Sequence, residues 1–170
     1  MATAVEINPD AAAAASAAHD FDFYMGSWRV HHRRLKERLA GNEVWEEFEG
    51  TSTAAPLLGG AGNVDDNYLE LPTGSYRAVS LRAFDPLAGT WSIWWLDGRY
   101  PGRLDPPVVG SFKDGVGTFI AEDTFNDKPI LVRFIWSDIT ANTCRWEQAF
   151  SPDNGASWEV NWVMESTRIV

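Results

Sequence analysis

The side chains with chemistry to offer in this sequence are few. His31 and His32 adjoin near the start, Asp97, Arg99, Tyr100, Arg103 and Asp105 crowd one segment, and Cys144 stands alone. Neighbouring strand residues point to opposite faces, so His31 and His32 cannot grip one metal ion together. No His, Cys and Asp grouping has metal-ligand spacing, and neither a metal nor a cofactor is expected. His32 could serve as a general acid–base with a carboxylate such as Glu47, as in an isomerase, cyclase or hydrolase. The plainer alternative is a hydrogen-bonded interior imidazole. Cys144 has no sequence neighbour that would make it a nucleophile, and no Gly-x-Ser-x-Gly elbow occurs. The cluster Gly59-Gly60-Ala61-Gly62 lacks the strand–loop–helix setting of a phosphate cradle and is expected to be a mobile portal loop or a bulge.

These residues must be positioned by strands. Ser27 to about Arg38 alternates, with Trp28, Val30, His32 and Arg34 on one face. That face starts with the largest apolar residue and is assigned inward. Helix is the competing assignment for its charged end. The segment Val44 to Thr53 is rich in Glu and pairs naturally with the basic first strand, although its inward face is undetermined. Further strands are expected near 63–71, 76–84, 91–97, 108–112, 117–123, 129–137, 143–151 and 157–169, joined by tight turns. In the ninth, Cys144, Trp146 and Gln148 share a face opposite Arg145 and Glu147. The stretch Gly98 to Pro107 holds three Pro and two Gly, which exclude a regular element. It is either a ligand lid, with an Arg for an anion, or a solvated loop locked by Asp–Arg pairs. Even spacing of nine or ten strands argues for an all-β, antiparallel up-and-down barrel.

At 170 residues the chain suits one domain over residues 19–170, preceded by a flexible Ala-rich segment over 1–18. Asp20 is expected to cap a short turn that aims Phe21 and Phe23 inward. A net charge of −10 argues against nucleic acid or an anionic membrane as partner. The lone Cys fits a reducing cytoplasm, and no signal peptide or anchor is read at the N-terminus. Nine Trp are more than a core of this size needs, so some are expected to line a pocket. Trp94 and Trp95 must face opposite ways, and an outward Trp would suit a homodimer contact.

Gly26-x-Trp28 opening the first strand, ten meander strands and Arg168 near the end of the last resemble the calycins: lipocalins, fatty-acid-binding proteins and nitrobindins. In that superfamily the Trp closes one end of the barrel and the Arg packs across it, which the resemblance carries to Trp28 and Arg168. Phe21-Asp22-Phe23, Gly26-x-Trp28 and Trp94-Trp95-Leu96-Asp97-Gly98-Arg99 look like a bacterial family catalogued only as a domain of unknown function. That likeness implies a calycin-like barrel and no established activity. Nitrobindin-like haem binding would need a late His, and none follows His32. Ser151-Pro152-Asp153-Asn154-Gly155-Ala156-Ser157-Trp158 resembles the Asp-box of sialidase propellers. Occurring once, it is read as a structural turn built on Asp153, Gly155 and Trp158.

The expected function is small-molecule binding in a barrel with an aromatic, partly polar interior. The expected ligand contacts are His32, Arg34, Trp95, Arg99, Tyr100, Arg103 and Trp146. The alternatives are an enzyme using His32 and Glu47, or a homodimeric module with a filled barrel.

Overall fold

The structure, a computed structural model, describes residues 9–169. Met1 to Asn8, part of the segment expected to be flexible, lie outside the described residues. Ten strands follow one helix: α1 (Pro9–Ala17), then β1 (Gly26–Leu35), β2 (Trp45–Leu57), β3 (Gly62–Glu70), β4 (Tyr76–Asp85), β5 (Thr90–Asp97), β6 (Val108–Lys113), β7 (Val116–Phe125), β8 (Lys128–Ser137), β9 (Thr143–Ser151) and β10 (Glu159–Arg168). Each strand pairs antiparallel with the next, and β1 pairs with β10, which closes the barrel. Closure removes the sheet edges that would otherwise template aggregation. No helix among the described residues is long and apolar enough to cross a membrane.

Period-two alternation sets the interior. Along β1, Trp28, Val30 and His32 are buried while Arg29 and Arg33 are exposed. β1 stops at Leu35, and the charged run after it turns rather than coiling into helix. Opposite charges face each other across the β1–β2 register: Arg34 sits across from Glu46 and Arg33 from Glu47, with His31 opposite Glu49. The expectation of a basic strand beside an acidic one is met, and the inward face of β2 is the one carrying Phe48, Gly50, Ser52 and Ala54.

One end of the barrel is sealed by the N-terminal approach. Helix α1 docks there, where Trp91 Nε1 donates to the Ala17 carbonyl at 3.0 Å. Of the helix or disorder expected for this stretch, the described part is helical. A 3₁₀ turn over Asp22–Tyr24 follows, and Asp20 does not cap it. Instead His19 Nδ1 lies 2.8 Å from the Asp22 carboxylate. The turn drives Phe21 into the core edge-on to Trp91, Phe112 and Trp136.

Trp28 and Arg168 face each other in register across β1 and β10. The Arg168 guanidinium lies 4.2 Å from the Trp28 ring centre and donates to the carbonyls of Met25, Phe23 and Ala141 at 2.6, 2.6 and 2.8 Å. It thereby ties the plug, the first strand and the β8–β9 turn together. Gly26 has φ +108°, and a Cβ there would stand 2.9 Å from Arg168 Nη1. Only glycine allows this approach. At the opposite end, Asp153 accepts from Ser157 N and Ser151 Oγ, both at 2.8 Å, and Gly155 turns with φ +90°. Trp158 packs under the outward Arg133, whose guanidinium is 4.3 Å from the ring centre.

Loss of the Arg168 clasp should be visible in stability. Arg168→Ala should lower the unfolding free energy by about 3 kcal/mol in urea titrations, since charge-assisted bonds contribute about 1.5–3 kcal/mol each and do not add fully. Arg168→Lys should recover less than half, because one ammonium cannot span three carbonyls while covering an indole. A loss below about 1 kcal/mol would show that the seal does not depend on the clasp.

Candidate functional site

Strand direction gives the barrel two unlike ends. The starts of β1 and β9 and the end of β10 meet at the sealed end. The end of β1, the start of β4 and the end of β5 meet at the other, which opens into a cavity of about 260 Å³. This lies just below the range of about 300–1,000 Å³ usual for small-molecule sites. Its walls are aromatic: Trp95, Phe134, Trp146, Phe150 and Trp162 line it, with Trp136 at depth. Trp146 meets Trp162 edge-on at 5.7 Å and Phe134 edge-on at 4.8 Å, geometries favoured by ring quadrupoles.

Four arginines also line the cavity: Arg34, Arg38, Arg82 and Arg99. Arg82 sits deepest and is 2% exposed. Its Nη2 lies 2.6 Å from Asp65 Oδ2, and its Nη1 donates to Asn63 Oδ1 at 2.9 Å. Asp65 also accepts from Ser80 N and Asn67 Nδ2. The guanidinium carbon is 5.1–5.4 Å from the ring centres of Phe21, Tyr24 and Trp136. Arg82 Nε and Trp136 Nε1 are buried with no partner among the described residues. Burial pushes the neighbouring Tyr24 hydroxyl far above its usual range, so it stays protonated and donates to Ser52 Oγ at 3.1 Å.

At the mouth, Arg34 pairs with Glu46 at 2.8 Å and Arg99 with Asp97 at 2.7 Å. Arg99 also covers the Tyr76 ring at 3.7 Å. Burial, and then the like charge of Asp123 across the mouth, raise the Asp105 pKa above the usual carboxylate range.

His32 is inward and 3% exposed, yet does not line the cavity. It stacks on Phe48 with ring centres 4.6 Å apart, and its Nδ1 accepts from Trp162 Nε1 at 3.2 Å. An accepting Nδ1 on a neutral ring puts the proton on Nε2. Burial, Arg34 and His31 together hold its pKa down to about 3. At neutral pH the ring neither donates a proton readily nor accepts one. Glu47 points outward beside His31, at 3.4 Å, because it falls on the odd-numbered face of β2. The expected His32–Glu47 pair is therefore not assembled.

Of the expected ligand contacts, Arg34, Trp95, Arg99 and Trp146 line the cavity. Tyr100 and Arg103 are not: both are exposed and neither lines it. Two successive turns, Tyr100 N to Asp97 O and Arg103 N to Tyr100 O, carry this part of the loop outward. Asp105 N then bonds Trp95 O and returns the chain to the rim, so Asp105 and Pro106 form the lip. The glycine cluster turns at the sealed end, away from the mouth. Burial raises the Cys144 thiol to about 11, which keeps it protonated.

The sequence reading passed over Asp65, Arg82 and Arg38. The signal for Arg82 was present: Tyr76, Ala78, Ser80, Arg82 and Phe84 form one face of an alternating strand, and Leu81 is on the other. Asn63, Asp65 and Leu69 alternate inward likewise on β3. Arg38 closes the expected first strand on its even-numbered face, but the observed β1 ends at Leu35, so alternation does not place it.

No protein-family model matches this chain, and no curated protein matches it. Among solved structures it is similar to an S-type phycobiliprotein lyase from Guillardia theta, with 9% identity over 96% of this chain and 99% of that one and a TM-score of 0.55. It is also similar to a protein of unknown function from the DUF3598 family of Nostoc punctiforme, with 12% identity and a TM-score of 0.50. That match covers 88% of this chain and 49% of the other, so the chain spans about half the length of that relative. Identities this low speak to fold alone. With the closed ten-strand meander and the Trp28–Arg168 seal, they show the fold: an antiparallel up-and-down barrel of calycin-like form.

The buried imidazole should register in acid. The unfolded ring takes a proton near pH 6.5, whereas the folded ring resists down to about pH 3. Its contribution is therefore complete above pH 6.5 and declines as the pH falls, by about 1.4 kcal/mol per unit. Between pH 7 and 5, wild type should lose about 2 kcal/mol more than His32→Phe in urea titrations. Parallel pH profiles for the two proteins would contradict this placement of His32.

Proposed function

We propose that residues 19–170 form a small-molecule-binding barrel whose ligand enters at the Arg34–Arg99 end and lays an apolar or aromatic body against Trp95, Trp146 and Trp162. The observation that carries this reading is the aromatic cavity itself, left open in a barrel that has rings enough to fill it. Binding is favoured over catalysis because the interior nucleophile and base candidates are silent at neutral pH: the Cys144 thiol is protonated and His32 has no carboxylate beside it. A cytoplasmic location accords with the lone buried thiol. The phycobiliprotein lyase of similar fold is a precedent for enzymes built on such barrels, and this chain lacks an assembled acid–base pair at the candidate positions.

A second reading concerns assembly and is compatible with the first. On the outer wall Leu81 stands across from Trp94 and Val109 across from Ile120, and Leu81, Val109 and Ile120 are each more than a third exposed. This apolar strip supports a homodimer through β4–β7. Light scattering should give twice the 18.9 kDa chain mass, reverting to one with Leu81→Lys plus Ile120→Lys; a monomeric wild type would remove this reading.

Native mass spectrometry of freshly purified protein, followed by solvent extraction, should reveal a reproducible excess mass. In parallel, the neutral dye N-phenyl-1-naphthylamine should brighten on binding. Trp146→Ala and Trp95→Ala should each weaken it about tenfold, the loss of one aromatic wall. Equal dye binding by the double variant would refute the pocket assignment.

A further inference from the structure

We propose that Arg38 is the ligand's anion anchor, so that the cavity takes a compact aromatic monoanion, above all a carboxylate, with its charged end at the mouth. This rests on the binding-barrel reading and specifies its ligand class.

The four cavity arginines are not equivalent. Arg34, Arg82 and Arg99 each have a carboxylate within 2.8 Å, supplied by Glu46, Asp65 and Asp97. Arg38 has none within ion-pair distance among the described residues, and no hydrogen bond to its guanidinium is formed there. It is partly buried, lines the cavity and lies 5.7 Å from the ring centre of Phe150. The nearby carboxylate of Glu159 is engaged elsewhere: both its oxygens accept from Leu39 N, at 2.8 and 3.1 Å. That bond pins the backbone next to Arg38 and so fixes where its side chain begins.

Glu159 and Glu46 act on this half-buried cation from beyond ion-pair distance, so its charge is only partly offset and its donors stay open to an incoming anion. Burial, then the like charge of Arg34, draws the Arg38 pKa down to about 10, which still leaves it charged at neutral pH. Among the described residues no carboxylate makes direct contact with the guanidinium, and that contact is what a ligand's anionic group would supply. A planar guanidinium beside an aromatic wall is matched to a carboxylate on a flat ring system. The far side of the mouth carries Asp105 and Asp123. They would repel a second negative group, which restricts the ligand to a single charge.

The test compares two probes of equal body, 1-naphthoate and 1-naphthalenemethanol, by calorimetry at pH 7. Wild type should bind the naphthoate at least tenfold more tightly. Arg38→Gln should abolish that preference while changing affinity for the alcohol less than twofold, and Arg38→Lys should keep part of it. Thermal melts supply a second readout. Removing an unpaired, partly buried charge should raise the melting temperature of the ligand-free protein, with Arg38→Met gaining about 2–4 °C. Equal affinities for the two probes in wild type, or a preference that survives Arg38→Gln, would overturn the anchor and leave the binding barrel intact. Binding of neither probe would overturn the binding barrel itself and the anchor with it.

Discussion

The buried Arg82 guanidinium is the constraint on which the rest of this structure depends. It stands inside the barrel with almost no access to water, and one missing partner would leave a bare charge at a cost of about 3–5 kcal/mol. Asp65 neutralises it, Asn63 takes a second donor, and three aromatic faces surround it. Two of those faces, Phe21 and Tyr24, belong to the segment before the first strand. The charge therefore does more than sit in the core. It requires the N-terminal plug to be home, because only then is the guanidinium both paired and covered. Arg168 makes the complementary demand from the rim, holding the Phe23 and Met25 carbonyls around Trp28. Together the two arginines turn an open-ended cylinder into a cup.

A cup must also keep its shape, and the wall of this one is braced ring against ring. Trp162 meets both Trp95 and Trp146 edge-on, and its indole N–H is held by His32. The bracing explains the unusual role of that histidine. A protonated imidazole could not accept from Trp162, so the environment that suppresses its charge is the same one that orients the wall. Two functions suggested by the sequence for one residue, acid–base chemistry and ligand contact, are thus replaced by a third. His32 positions a residue that lines the cavity. A wall braced in advance would spare a ligand the ordering cost that a collapsed, flexible pocket would impose.

How much of this was readable in the sequence follows from how local each signal is. Alternation is local, so the ten strands, the inward face of β1 and the opposed β1–β2 charges could be read directly. The Trp28–Arg168 contact spans the whole chain, and it was found only through resemblance to calycins. Glu47 went astray because one residue of register moves a side chain to the other face, and β2 offered Glu on both. Tyr100 and Arg103 went astray because loop composition does not say which way a loop curls. Asp65 and Arg82 were missed for a different reason: reading charged residues as solvated is right for most strands, and fails where two charges meet inside.

The chain's overall charge of −10 and its arginine-lined cavity pull in opposite directions, and their ranges decide between them. Repulsion from scattered surface carboxylates is screened over about 8 Å at physiological ionic strength. It acts on an approaching anion from a distance and mainly slows encounter. Within the mouth water is displaced by rings, the effective dielectric falls, and a single guanidinium in contact outweighs many distant charges. Acidic exterior and cationic lip are therefore compatible, and they divide the work. Polyanions, whose many charges feel the long-range field in full, are the species such an exterior would repel most. Of the four cavity arginines, Arg34 and Arg99 at the mouth and Arg82 at depth are answered by carboxylates among the described residues, and a short-range contact with Arg38 is where a small anion that had left the solvent would find the field in its favour.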